Sequence, residues 1–530
     1  MEPSTNPAKS DDFPRELNDK AKLCRFLCYG SEGDVYTAGE DLRPRVETAG
    51  ALLSMLQDGR GCEAVEAVER FADGGRAACL HPCLFGLALC SQRSELQTRQ
   101  AAFKALKGVC REPGHLFVFI QYKKELKDGM KCGIWGRALR KAVSDWYNER
   151  DAMNLAKAVT KCKQRVGWSH KDLLRLSHTK ASKDTIVLIS KYVTKGWKEV
   201  QVAYADKENP EEVVKLLSYL EAVEKVKHSC DEAEVVHLIE EHGLEMEQLL
   251  TDHLKSKEVW RALLKDMPLG TALRFVGKMT VDQVLEPGSS DMTEFCNRIQ
   301  DETVVKNAKI HPFDILLAME NYKRCQSSRG KIKWEPSGTV LTAMESAFYK
   351  SLQNVESTGK RFVVAIDIST SLSSVVPGTS LSTAFAAAAI AMIISRTEVD
   401  TQVLVYSEGV VSPCTVTAEM SLADVTCALV KGPTSTTDCT LPITWALEEG
   451  KAVDVFVVLT NNPLWTFTAS PVETLKKHRE KSGNFSKLVM CGLTAIGHTI
   501  ADTEDSGLLN ICGFDTGALN VIRNFAMDLI

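Results

Sequence analysis

The sequence predicts a multidomain α plus α/β protein: stacked pairs of short helices first, then a doubly wound parallel sheet. Three observations carry this prediction. From about Asp41 to Ser346 apolar residues recur at helical steps in short segments parted by turn residues. After RGKIKWEPSG (329 to 338) and one more helix, β-rich apolar runs alternate with helical stretches. At 530 residues, the chain is also too long for a single ordinary core.

In the helical part, EEVVKLLSYLEAVEKV (211 to 226) places Val214, Leu217, Leu220 and Val223 at three-residue steps with charges between them. EAEVVHLIEEHGLEMEQLL (232 to 250) repeats the pattern, with Gly243 as its breaker. REPGH (111 to 115), ADKENPEE (205 to 212) and LEPGSSD (285 to 291) mark turns. Many such segments in series predict HEAT-like stacking of helical pairs, although no sequence repeat is evident.

In the second part RFVVAID (361 to 367), QVLVYS (402 to 407), DVFVVLTN (454 to 461) and KLVMCGLTA (487 to 495) read as strands. They are apolar throughout, as strands covered on both faces are. AFAAAAIAMII (384 to 394) is too short to span a bilayer and reads as a small-residue helix packed against the sheet. GALNVIRNFAMDLI closes the chain as an amphipathic helix. This pattern starts the second domain near residue 352.

Composition is that of a soluble globular protein, with 44% hydrophobic and 25% charged residues. The polar N-terminus lacks the apolar core of a signal peptide. The 17 cysteines are scattered, with no C-x-x-C pair. Cys24/Cys28 and Cys79/Cys83 have i,i+4 spacing but no zinc-ligand partners nearby, so buried free thiols in a reducing cytosolic or nuclear compartment are expected. The net charge of −5 hides an asymmetry. Residues 121 to 200 hold 19 Lys/Arg against 8 Asp/Glu, whereas residues 361 to 530 hold 10 against 17. One basic surface in an acidic protein points to a polyanion.

That block interleaves Lys131, Arg137, Arg140, Lys141, Lys161, Lys163, Arg165, Lys171 and Arg175 with Trp135, Trp146, Tyr147 and Trp168. Cations neutralise phosphates, and aromatic planes stack on unpaired bases. Any single Trp is read more simply as core; the block as a whole favours nucleic acid. Lys161 and Arg165 would share a face if their stretch is helical. His178, after HKDLLRLS, offers a donor or acceptor to a phosphate or a base edge.

In an open parallel sheet, ligands bind at the carboxyl ends of the strands. Asp367 ends the first strand of the second domain, and Ser369 and Ser371 follow it. GPTSTTDCTLP (432 to 442) and LTNN (459 to 462) are expected at the same edge. Taken alone, the triplet reads more simply as a strand-ending turn whose hydroxyls satisfy backbone groups. With Thr437 added, an oxygen-only set suits Mg²⁺. Asp367, Ser369, Ser371 and Thr437 resemble the metal-ion-dependent adhesion site of von Willebrand factor A domains. Asn461 stands where that motif has Asp; it keeps a carbonyl oxygen but brings no charge.

RFLCYGSEG (25 to 33), KCGIWGRALRKAVSDWY (131 to 147), GWSHKDLLRLSH (167 to 178), KIHPFDILLAMENY (309 to 322), GKRFVVAID and CGFDTGALNVIRNF (512 to 525) resemble the Ro autoantigen family of TROVE-domain proteins. The likeness spans essentially the whole chain beyond its first ~20 residues. It implies a loose N-terminus (1–20), a TROVE ring of HEAT-like repeats (21–351) and a von Willebrand factor A-like domain (352–530). By the same resemblance, Y RNA contacts fall on Lys161, Arg165 and His178, and metal ligands on Ser369, Ser371 and Thr437 with Asp367 beside them. The family pattern further implies that 3′ single-stranded ends of misfolded small non-coding RNAs enter the hole of the ring. It also implies a monomeric protein in the cytoplasm with a nuclear pool.

No phosphate-binding G-x-x-x-x-G-K-[ST] loop, H-E-x-x-H or G-x-S-x-G motif occurs. The expected function is therefore a non-enzymatic RNA-binding scaffold. The competing expectation is a metal-dependent adhesion module, in which the second domain holds a protein partner and RNA is incidental.

Overall fold

The computed structural model describes residues 17–39, 43–93, 95–127, 133–205, 208–327, 330–368, 374–407, 409–417, 419–429, 438–461, 470–494 and 505–530. Among them nineteen α-helices run from Asp19 to Ser351, none longer than 16 residues. Helices this short are marginal alone and need the apolar faces of their neighbours. They pack largely on near neighbours in sequence, Gly61–Ala72 on Leu96–Val109 and Pro312–Lys323 on Gly338–Ser351 being typical. Side-chain caps start several of them, including Asn18, Asp151, Ser169, Ser256 and Ser289. Gly243 ends its helix in the left-handed conformation, as the sequence suggests. No helix among the described residues is long and apolar enough to cross a membrane.

Two details differ from expectation. In the Glu211–Val226 helix the buried stripe is Val213, Leu216, Leu220 and Val223, and Val214 is 50% exposed. Strict three-residue steps drift around a 3.6-residue helix; alternating steps of three and four keep one face inward. Cys24 and Cys28 share the buried side of Asp19–Tyr29, but Cys79 precedes the His81–Cys90 helix and is exposed, whereas Cys83 is buried. All sixteen cysteines among the described residues are free thiols.

Seven strands form the main sheet: β1 (Val35–Thr37), β4 (Arg361–Asp367), β5 (Asp400–Ser407), β6 (Val410–Pro413), β7 (Val455–Thr460), β8 (Lys487–Gly492) and β9 (Leu508–Cys512). The order is β1-β9-β8-β7-β4-β5-β6. All neighbours are parallel except β5 and β6, so the sheet is mixed at one edge. β4 explains the continuous apolar run. Phe362, Val364 and Ile366 join one core, and Val363 and Ala365 the core on the opposite face. The alanine-rich helix Thr383–Thr397 lies against β4 and β5 with nearly every residue buried.

β1 lies far outside the sequence-predicted sheet. It pairs with β9, and Asp34 accepts from the Asn510 amide at 2.8 Å. Tyr36 donates to Asp515 at 2.9 Å, and Asn524 donates to the Arg76 carbonyl at 2.6 Å. The far end of the helical series seats on the same domain. Phe313 meets Phe514 edge to face at 5.1 Å, Thr516 donates to Asp314 at 2.6 Å, and the Leu422 amide donates to Tyr349 at 2.8 Å. The helical array thus begins and ends on one α/β domain, and the chain closes on itself.

Candidate nucleic-acid interface and metal centre

The basic block folds into a contiguous run of small elements. The helix Ala152–Lys161 ends at Cys162, and the chain makes a two-stranded hairpin, β2 (Gln164–Arg165) and β3 (Trp168–Ser169). Lys161 and Arg165 therefore do not share a helical face: one closes the helix and the other lies on the hairpin. The hairpin packs against the Pro113–Glu125 helix, and β3 leads into the helix His170–Leu176. At Gly114 an added Cβ would stand 3.1 Å from Arg165 Nη1, so the guanidinium lies across the first turn of that helix.

The hairpin turn is strained. Val166 and Gly167 both take positive φ, 46° and 80°. A β-branched residue rarely adopts this conformation, and Val166 is also 44% exposed. His178, exposed just beyond its helix, has φ 51°. Two backbone outliers thus flank the cations, a distribution typical of binding surfaces.

Among the described residues, cations without an ion pair are concentrated on this face. Elsewhere many cations pair with carboxylates, as in Lys215–Glu211, Lys265–Glu240, Lys278–Asp282 and the Arg261 pairs with Glu258 and Asp291, although others such as Lys20, Arg70 and Arg76 do not. Arg137, Arg140, Lys163, Arg165, Lys171 and Arg175 are exposed and form no ion pair among the described residues. Lys141 pairs with Asp145 at 2.5 Å within its own helix. Lys161 is half-buried against Glu245 at 2.5 Å. Burial opposes its charge, but the Glu245 hydrogen bond and carboxylate outweigh this and hold its pKa above the ordinary lysine value. Lys131 lies outside the described residues.

The aromatics divide. Trp146 and Tyr147 are core: the Trp146 indole donates to the Cys110 carbonyl at 2.7 Å, and the Tyr147 hydroxyl meets His170 Nδ1 at 2.7 Å. Trp135 and Trp168 are half-buried and meet edge to face at 6.2 Å, with the Lys124 ammonium 6.0 Å from the Trp168 ring. These two carry the stacking potential of the block.

His170 gives this region a pH dependence. Burial pushes its imidazole pKa down to about 4, so it folds neutral. The unfolded chain protonates first as pH falls, so stability is full above about pH 6.5 and drains towards pH 4, by on the order of 3 kcal/mol. Urea midpoints measured between these limits should fall less steeply in His170→Gln than in the parent. Parallel slopes would remove His170 as the cause.

At the carboxyl edge of the sheet, Asp367 is fully buried and its Oδ2 accepts from the Thr460 hydroxyl at 2.6 Å. β4 and β7 are neighbours in register, Ile366 beside Leu459, which brings Thr460 level with Asp367. Asn461 is one residue further, and its Oδ1 accepts from the Thr494 hydroxyl at 2.6 Å. Asp438 stands on the same side of the sheet. Burial first, then Cys439, Asp367 and Asp438, push the Tyr406 phenol well above its usual range. Ser369, Ser371 and Thr437 lie outside the described residues. No group of three or more His, Cys, Asp or Glu gathers as a metal site among the described residues. Asp367, Asp438 and the Thr460 hydroxyl are hard oxygen donors of the kind Mg²⁺ takes.

Residues 9–324 match the TROVE domain, and residues 361–526 match the Ro60 vWA domain. The chain belongs to the Ro60 family. Two relatives, both named RNA-binding protein RO60, extend the likeness over the whole length. The Caenorhabditis elegans protein is 29% identical over 579 residues, 98% of this chain and 89% of the relative. The Deinococcus radiodurans protein is 31% identical over 520 residues, 97% of this chain and 94% of the relative. The crystal structure of the Deinococcus radiodurans Ro (RSR) protein superposes with a TM-score of 0.86 at 30% identity, covering 97% of this chain and 100% of that one. In this Ro60 family chain the sequence motifs pointed to Asp367 and to the cations of the 161–178 stretch. Glu245 beneath Lys161, Thr460 on Asp367, and Asp438 became visible only through the fold.

Proposed function

We propose that this chain is a non-enzymatic RNA-binding scaffold that holds Y RNA on the outer face built around Lys161, Arg165 and His178. The observation that carries the reading is a cluster of exposed cations without an ion pair among the described residues, Arg137, Arg140, Lys163, Arg165, Lys171 and Arg175, gathered around Lys161, which Glu245 holds in place. Free cations gain the most from a polyanion, because binding releases condensed counterions without first breaking a protein salt bridge. The names of both relatives support the same reading. Arg137, Arg140, Lys141, Lys171 and Arg175 extend the electrostatic footprint, with Lys131 as a further member. The 3′ single-stranded ends of misfolded small non-coding RNAs would enter the space enclosed by the closed helical array.

The second domain would bind Mg²⁺ through Asp367, Ser369, Ser371 and Thr437 and present it to a protein partner. The free thiols support a reducing location, the cytoplasm with a nuclear pool. Purifying the protein from its own cells and sequencing the RNA that accompanies it tests the main reading. Short stem-loop RNAs should dominate. A preparation free of RNA but rich in EDTA-releasable protein would overturn it in favour of the adhesion module.

A further inference from the structure

We infer that the seam between the helical region and the α/β domain is a binding site for a small organic phosphate of nucleoside monophosphate size. A cleft of about 360 Å³ opens there, at the small end of ligand sites, which span roughly 300–1,000 Å³. Lys20, Arg70, Arg76 and Lys487 line it, with Phe71 and Phe485 as apolar wall. Lys20, Arg70 and Arg76 form no ion pair among the described residues. Lys487 pairs with Asp528, the one acidic side chain of the lining, at 2.6 Å. Among the lining side chains four cations therefore stand against one carboxylate, with Ile530 at the end of the chain beside them.

The second observation is Arg25, which does not itself line the cleft but belongs to the helix whose Ala21 and Cys24 do. Ser506 opposite also lines the space. Arg25 is 0% exposed, and its Nη2 makes only long bonds to the carbonyls of Ser506 (3.3 Å) and Leu508 (3.4 Å). Its Nε and Nη1 have no hydrogen-bond partner among the described residues. A buried guanidinium beside a cationic cleft adds to the positive field there, which an anion in the cleft would answer. A phosphate monoester brings two negative charges and three acceptor oxygens, matching forked arginine donors better than a carboxylate does. Phe71 and Phe485 then offer apolar surface for a base or similar ring. The lining comes from both domains, so an occupant ties the start of the helical series to the α/β domain and stabilises the seam.

Titration calorimetry of the full chain with AMP and with inorganic phosphate tests this. AMP should bind saturably and more tightly than inorganic phosphate, and should raise the melting temperature. Arg70→Ala with Arg76→Ala should weaken AMP by about tenfold or more, the loss of one to two charge-assisted bonds. Lys20→Ala, at an exposed position, gives a second variant in case the double one folds poorly. Lys161→Ala with Arg165→Ala should leave AMP affinity unchanged. AMP binding weaker than about 1 mM overturns the site. So does full affinity in both seam variants, or loss of AMP only in the Lys161/Arg165 variant. Equal affinity for phosphate and AMP overturns the organic part.

Discussion

Replacing Lys161 and Arg165 together with alanine should lower affinity for Y RNA by on the order of a hundredfold or more, each charged contact being worth about 1.5–3 kcal/mol. The plot of log affinity against log salt should also flatten by roughly two units, because two phosphate contacts stop releasing counterions. The fold should survive. Lys161 is half-buried against Glu245, itself 36% exposed, so the carboxylate left behind is still solvated. Arg165 lies on an exposed two-residue strand. Gel-shift titrations at several salt concentrations, beside thermal melts of the same preparations, separate binding from folding. An unchanged affinity at fixed salt would sink the assignment of this face. Arg165→Lys is the finer probe: it keeps the charge but loses the fork, so recovery of the salt slope without recovery of affinity would mark guanidinium-specific recognition.

The second large effect concerns stability. Arg479 and Asp505 form an ion pair at 2.6 Å with side chains 1% and 0% exposed. The Arg479 Nε also donates to the Ser486 carbonyl at 2.8 Å, its guanidinium lies 4.4 Å from the Phe485 ring, and Asp505 accepts from the Gly507 amide at 2.8 Å. Removing one partner strands a charge away from water. Asp505→Ala should therefore destabilise the α/β domain by about 3–5 kcal/mol. Replacing both by apolar residues of similar volume, Arg479→Met with Asp505→Leu, should recover most of that loss. Urea unfolding of the three proteins reads the difference. If Asp505→Ala unfolds at the parental midpoint, the pair contributes specificity rather than stability. The same site explains Gly507, where an added Cβ would come within 2.2 Å of the Arg479 guanidinium.

Legibility of the sequence followed the physics of burial. β4, β5, β7 and β8 announced themselves because both sides of the sheet are covered, so no polar alternation interrupts their apolar runs. The Ala-rich helix was equally plain, since few arrangements other than close packing on a sheet use so many small residues. β1, only three residues long, carries no periodic signal, and its partner lies at the opposite end of the chain. Lys161 and Arg165 looked like helical neighbours because spacing alone does not show the hairpin that starts after Cys162. At the candidate metal site, Asp367 stood out as a lone carboxylate after an apolar strand. Thr460 could not stand out, since its role depends on which strand pairs with β4. Arg25 and Arg479 were the hardest of all. Each sits in a sequence of ordinary charged helix, DKAKLCRFLCY and PVETLKKHREKS, and only the fold shows that one cation in each has turned inward.

The closure of the chain has a consequence for its making and its breaking. Asp34 and Asn510, which hydrogen-bond to each other, are 476 residues apart in sequence. The strand beside β9 is therefore synthesised long before its partner, and it finds its place only when the whole intervening chain exists. The entropic cost of joining such distant ends grows only logarithmically with their separation, so length is no obstacle to stability, although it delays assembly. Once the clasp is shut, a single backbone cut within the helical array opens the circle without releasing either half, because each remains seated on the same sheet-bearing domain. A protease must cut twice to carry a piece away.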